Sequence, residues 1–178
     1  MRFEPTPIDG VVIVRWDIKL DDRGGFARIF DPDAFAAAGI ALTVAAANLS
    51  RNPTRHTLRG LHYQAAPHGE PKLISCPRGR IWDVAVDLRA NSPTYRRWTS
   101  LELSPDSDCA WFLPAGIAHG LLTLEDDSEV SYLMGAPFVP DAARGARWDD
   151  PAIGIAWPAA PALISERDAT YPDLAAAS

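Results

Sequence analysis

The sequence predicts an all-β protein, folded as a sandwich or barrel. Three observations carry this. Short apolar runs recur along the chain, each bounded by Gly, Pro, Asp or Ser. These runs are rich in β-branched and aromatic residues, which fit a pleated, half-buried surface. The sixteen prolines suit connections and edge strands, where a missing N–H is tolerated. In chain order, Val11–Val14 is the first expected strand. Asp21–Gly25 reads as a turn leading into Phe26–Phe30. Asp31-Pro32-Asp33 opens the clearest helix, Ala34–Ala38, which Gly39 stops. Strand-length runs follow at Leu42–Asn48, Thr57–Gln64, Lys72–Cys76, Arg80–Leu88, Trp98–Leu103, Ala110–Leu113, His119–Leu124 and Val130–Met134. Ser165 is placed to cap a helical turn at Glu166-Arg167-Asp168, and Ala175–Ser178 is expected to fray.

A chain of 178 residues is long enough to bury a core and is expected to form one domain, residues 1–178, with no linker and no internal repeat. A net charge of −6 with no basic stripe or tail argues against nucleic acid as a partner. The cations fall singly, beside glycines and aromatics, which suits a small anionic ligand. Cys76 and Cys109 lie in separate apolar runs without metal-type spacing, as buried thiols of a reducing compartment would. The N-terminal residues form no apolar signal core, and no apolar run reaches membrane-spanning length. A cytoplasmic protein with no membrane partner is expected.

The stretch Thr57-Leu58-Arg59-Gly60-Leu61-His62-Tyr63-Gln64 places a guanidinium, a glycine and an imidazole within a strand-like run, and Lys72 follows shortly after. A base that titrates near neutral pH beside fixed cations suits proton removal from an anionic substrate. The blander alternative is an edge strand with a solvated Arg and a satisfied His. Within Ile81–Leu88, Asp83 and Asp87 share a face with Ala85 and oppose Trp82, Val84 and Val86. That face either lines a polar cavity or meets water. Pro114-Ala115-Gly116-Ile117-Ala118-His119-Gly120 has the PxGxxH spacing of the second motif of cupin barrels. The matching first segment, His62-Tyr63-Gln64, lacks the second histidine of an HxH pair. Two imidazoles without a clear third ligand make a poor metal site, so none is expected.

The chain resembles the dTDP-4-dehydrorhamnose 3,5-epimerase family from about Asp21 to Asp168. The matching pieces run in order: Asp22-Arg23-Gly24, Asn48-Leu49-Ser50, Leu58–Gln64, Pro71-Lys72-Leu73, Asp83–Arg89, Ser92-Pro93-Thr94-Tyr95, Pro114–Gly120, Tyr132, Trp148-Asp149-Asp150-Pro151 and Ile155-Ala156-Trp157-Pro158. The resemblance implies a cupin-like jelly-roll barrel with a few short peripheral helices. It implies inversion of C3, C5 or both in a nucleotide-diphosphate-linked 4-keto-6-deoxy sugar, with no cofactor. By similarity His62 is the base and Asp168 orients it. Tyr132 returns a proton from the opposite face, and Lys72 stabilises the C4 oxyanion. Arg23, Asn48, Arg59, His119 and Arg167 match positions that hold the nucleotide sugar. A homodimer built by exchange of N-terminal strands is also implied, with Arg23 reaching the partner's site.

The chain departs from the family at positions that contact the nucleotide. Arg28 and Ala143 stand where glutamates are usual, and Ala46 where a glutamine is usual. Alanine offers no hydrogen bond to a base or ribose, and Arg for Glu reverses a charge, so a CDP, GDP or UDP sugar competes with a dTDP sugar. Phe138 replaces a frequent tyrosine near the sugar, which bears on whether C3, C5 or both are inverted. Two rival readings remain on this barrel: a ketoisomerase moving the carbonyl between C4 and C3, and a non-catalytic sugar-binding cupin.

Overall fold

The computed structural model of the chain describes residues 1–174, so the Ala175–Ser178 tail lies outside the described residues. In chain order the strands are β1 (Arg2–Pro5), β2 (Val12–Arg15), β3 (Lys19–Asp21), β4 (Gly24–Phe26), β5 (Ala46–Asn52), β6 (Thr57–Gln64), β7 (Lys72–Arg78) and β8 (Ile81–Asp87). They continue with β9 (Trp98–Leu103), β10 (Cys109–Leu113), β11 (Ile117–Thr123), β12 (Ser128–Met134), β13 (Ala143–Gly145) and β14 (Leu163–Ile164). Two short α-helices, α1 (Pro32–Ala37) and α2 (Glu166–Ala169), and two single 3-10 turns at Pro105–Ser107 and Pro140–Ala142 complete the elements of the described residues.

Two sheets form a jelly-roll barrel. The first orders its strands β1-β2-β10-β7-β12-β5, and the second β13-β6-β11-β8-β9 with β14 beside β6. Between the sheets lies a core that includes Ile74, Ala85, Trp111, Ile117, Leu121 and Val130. Trp82, Val84 and Val86 alternate to the outer face of the second sheet, against Trp98 and Trp157. The outer face of the first sheet is covered by the segment around α1, where Phe35 packs edge-on against Phe3 and Phe112. Asp31 caps α1 by accepting from the Asp33 and Ala34 amides, and Pro32 fills a first-turn position that needs no N–H.

Several boundaries differ from the sequence expectation. β1 was not expected; it exists because β2 offers an edge that Arg2–Pro5 completes. The Leu42–Asn48 run enters its strand only at Ala46 and continues to Asn52, because Leu42 is drawn under α1 as part of the outer cluster. The Phe26–Phe30 run leaves its strand after Phe26, and Phe30 turns to pack on Phe35 with ring centroids 5.0 Å apart. Asp21–Gly25 is not all turn: β3 and β4 pair across Asp22-Arg23 as a separate hairpin.

The Asp83–Asp87 face points inward, and neither carboxylate meets water. Asp87 accepts from the Arg89 guanidinium (2.9 Å) and the Thr94 hydroxyl (2.6 Å), which fixes the loop after β8. Burial alone would raise its pKa. The donors from Arg89, Ser92 and Thr94 outweigh burial and hold it far below the usual carboxylate range.

Candidate active site

The site begins with an irregularity in the pairing of β6 and β11. His62 lies opposite His119, but Arg59 lies opposite Leu121, so β6 spends one residue more than β11 between the two pairs. A bulge of this kind resets the in–out alternation. Arg59 and His62, an odd number of residues apart, therefore both reach the same cavity. Gly60 makes this close approach feasible. Its φ is +123°, and a Cβ there would stand 2.5 Å from the Gly120 Cα.

The cavity has a volume of about 320 Å³ and opens between the two sheets. From the second sheet it receives His62 and His119; from the first, Lys72 and Tyr132. Each histidine has its own carboxylate. His62 Nε2 lies 2.8 Å from Asp168 Oδ1, and the Gly60 N–H donates to Asp168 Oδ2 at 3.0 Å. Ser165 caps α2 as expected, accepting from the Asp168 amide at 3.1 Å, which sets the carboxylate's height against β6. Burial opposes ionisation of Asp168, but His62 and the Gly60 amide outweigh it and bring its pKa below the ordinary value. His119 Nε2 lies 2.6 Å from Asp83 Oδ1, with both groups buried. Here burial dominates and raises the Asp83 pKa despite His119.

Tyr132 meets the His119 ring edge-on, with centroids 5.9 Å apart. Burial first, and the Asp83 carboxylate second, push its phenol well above the ordinary value, so it stands protonated at neutral pH. Lys72 is buried and ion-paired with Glu70, Nζ to Oε1 2.7 Å. Arg59 and Arg167 add cations to the wall. Arg59 is steadied by Asn52, whose Oδ1 accepts from Nε at 2.6 Å. Arg167 lies over the Tyr171 ring at 5.7 Å. Among the described residues, no cluster of three His, Cys, Asp or Glu side chains is placed to hold a metal ion.

Ala46, Ala143 and Phe138 also line the cavity, at its rim. Asn48 shares the β5 face of Ala46 and Ser50 and lies opposite Tyr132 in the ladder, but is exposed and outside the cavity wall. Arg23 and Arg28 do not reach the cavity of their own chain. Arg23 sits at the tip of the β3–β4 hairpin, exposed and paired with Asp21. Arg28 pairs with Asp31 and borders a separate hollow with Met1, Asp17 and Lys19.

Sequence reasoning missed Glu70, Arg144 and Tyr171 and left Asp83 without a role. Glu70 and Arg144 line the cavity. Tyr171 packs edge-on against His62 with centroids 6.2 Å apart, in space that Gly145 leaves open: a Cβ at Gly145 would come within 2.2 Å of the ring. An isolated carboxylate inside an apolar strand run was the available signal for Asp83. No sequence signal marks Tyr171.

The profile of the dTDP-4-dehydrorhamnose 3,5-epimerase family matches residues 5–176. A dTDP-4-dehydrorhamnose 3,5-epimerase of Sinorhizobium fredii is 40% identical over 98% of this chain and 90% of its own. The crystal structure of NovW, a 4-keto-6-deoxy sugar epimerase from the novobiocin biosynthetic gene cluster of Streptomyces spheroides, superposes with a TM-score of 0.94 at 38% identity, covering 99% of this chain and 89% of that one. ChmJ, a 3'-monoepimerase from Streptomyces bikiniensis in complex with dTDP-quinovose, superposes with a TM-score of 0.91 at 35% identity, covering 98% and 88%.

Proposed function

The chain belongs to the dTDP-4-dehydrorhamnose 3,5-epimerase family and is an isomerase of nucleotide sugars, and on that premise we propose that it inverts C3, C5 or both of a nucleotide-linked 4-keto-6-deoxyhexose through an enolate, without a metal or organic cofactor. The ketone makes the hydrogens at C3 and C5 acidic, because the carbanion left behind is an enolate. His62 takes the proton, and the new imidazolium is balanced by Asp168 at 2.8 Å. Lys72 meets the oxyanion that develops at C4; one preorganised donor of this kind lowers a barrier by ~3–4 kcal/mol. Tyr132, protonated at neutral pH, returns a proton to the other face. One proton leaves carbon for His62 and one leaves Tyr132 for carbon; exchange with solvent then returns the imidazolium to imidazole and the phenolate to phenol before the next inversion.

The observation that carries this reading is that His62 and Tyr132 line one cavity from opposite sheets. A substrate between them presents one ring face to each. Arg59, His119, Arg167 and Arg144 serve the sugar and the diphosphate, guanidinium forks being suited to phosphate oxygens. The test is incubation with a 4-keto-6-deoxy sugar nucleotide in D2O. Deuterium at C3 or C5, with the carbonyl still at C4, supports epimerisation. A carbonyl moved to C3 indicates ketoisomerisation, and binding without exchange indicates a sugar-binding protein.

The working form is proposed to be a homodimer of the cytosol. The β3–β4 hairpin supports the dimer, since it exposes Leu20 (81%) and Phe26 (75%) beside Arg23. In that dimer Arg23 approaches the partner's cavity. The free, buried thiols of Cys76 and Cys109 accord with a reducing compartment.

A further inference from the structure

Glu70 and Lys72 are 8% and 5% exposed, yet both line the cavity. The loop that carries Glu70 is clamped on both sides. Gln64 Nε2 donates to the His68 carbonyl at 3.1 Å, and the Gly135 N–H donates to the Pro71 carbonyl at 2.7 Å. Gly69 lies so near Ala115 that a Cβ there would come within 2.8 Å of the Ala115 Cβ. Lys72 starts β7 between Leu113 of β10 and Met134 of β12, both uncharged. Its Nζ is 2.7 Å from the Glu70 carboxylate, within hydrogen-bond reach, and is itself buried. The carboxylate balances the charge, and an ammonium carries three N–H donors, more than this one contact uses.

Of the 17 cations in the chain, only Lys19 and Lys72 are lysines. Lysine, unlike arginine, loses its proton readily when buried. Burial pulls the Lys72 pKa down, and Glu70 opposes that pull. Arg59, His62, His119, Tyr132, Arg144 and Arg167 face the same cavity, and none of them offers the ammonium a negative charge at neutral pH.

We propose that Glu70 is a positioning residue of the reaction, holding the Lys72 ammonium protonated and aimed into the cavity before substrate arrives. The inference rests on the reading of Lys72 as the group that meets the C4 oxyanion. A neutral amine would be a much weaker donor to that oxygen. A carboxylate on a clamped loop keeps the charge in place through each turnover.

The experiment compares kcat and KM against pH for the native enzyme, Glu70→Gln and Glu70→Asp. Glu70→Gln should lower kcat by about tenfold or more with KM little changed. Its alkaline limb should move about one pH unit or more toward neutrality, because an ammonium without its carboxylate deprotonates sooner. Glu70→Asp should recover part of both. An alkaline limb that stays where the native one lies overturns the proposal. If Glu70→Gln does not fold, a carbon-13 titration of the lysine ε-carbons in the native protein decides, with Lys19 as the exposed reference. Lys72 charged beyond about pH 9 supports the proposal, and titration near neutrality overturns it. A native enzyme that performs no exchange at all would overturn the epimerase reading instead, leaving the titration to judge the ion pair alone.

Discussion

His62 and His119 are partners in the β6–β11 ladder, and each is bonded to a different buried carboxylate, Asp168 at 2.8 Å and Asp83 at 2.6 Å. The two pairs are not equivalent. The His62 side chain is 40% exposed and that of His119 is 7% exposed. His62 therefore has room to meet a reacting carbon, while His119 is held as part of the wall beside Tyr132.

From this follows a separation of two events that are usually measured together. Replacing His62 by Asn should remove both solvent deuterium exchange and product, with kcat lower by ~10²–10⁴-fold. Replacing Tyr132 by Phe leaves the base in place. Exchange into unreacted substrate should then continue while the inverted product is lost. Mass and NMR analysis of recovered sugar nucleotide reads both, and a Tyr132→Phe enzyme that still inverts would remove Tyr132 as the acid.

Asp168 links the site to acid stability. Its folded pKa lies below the ordinary value, so the unfolded chain binds the proton more readily. The stability it contributes is present above the unfolded value, about pH 4, and is lost as pH falls through the lower folded value. Asp168→Asn should thus lower the urea midpoint at pH 7, and the gap from the native protein should narrow at pH 3. An equal gap at both pH values would show that the carboxylate charge contributes nothing.

Gly60 is expected to tolerate no side chain. Alanine there combines a φ of +123° with a Cβ 2.5 Å from the Gly120 Cα. Strain and overpacking together should cost about 2 kcal/mol or more. Equilibrium unfolding of Gly60→Ala measures this. Activity should fall as well, because the same contact sets the bulge that turns Arg59 and His62 into one cavity.

Phe138 is 67% exposed at the cavity rim. Phe138→Tyr returns a hydroxyl to that rim and should change the ratio of deuterium at C3 to deuterium at C5. An unaltered ratio would take Phe138 out of the determinants of regiochemistry.

Nucleotide choice has its own readout. Ala46 and Ala143 present no hydrogen-bonding group to a base. TDP and UDP should therefore raise the melting temperature by similar amounts at equal concentration, since a ligand that binds only the folded state stabilises it according to its affinity. A rise with TDP alone would place base recognition on other residues.

Much of this was legible before any coordinates. Strand positions followed from β-branched runs, and strict alternation assigned Asp83, Ala85 and Asp87 to one face. What alternation could not convey was the bulge at Gly60-Leu61. By period two, Arg59 and His62 belong to opposite faces, and the resemblance rather than the pattern put them together. Glu70 stayed hidden because a loop residue two places before a strand has no periodicity to betray its direction. Arg23 and Arg28 were legible as charges, but nothing in sequence shows that Arg23 sits on a protruding hairpin or that Arg28 turns to Asp31, both away from the cavity of their own chain.

The proposed base and acid come from different sheets, His62 from β6 and Tyr132 from β12. The thickness of the sandwich is consequently a stereochemical parameter. Residues that space the layers without lining the cavity, such as Ile74 and Ile117, would in the proposed reaction set how far a planar enolate lies from each of its two proton sources. Slimming or thickening that filling would alter the proportion of inverted to retained carbon without touching a single ionisable group.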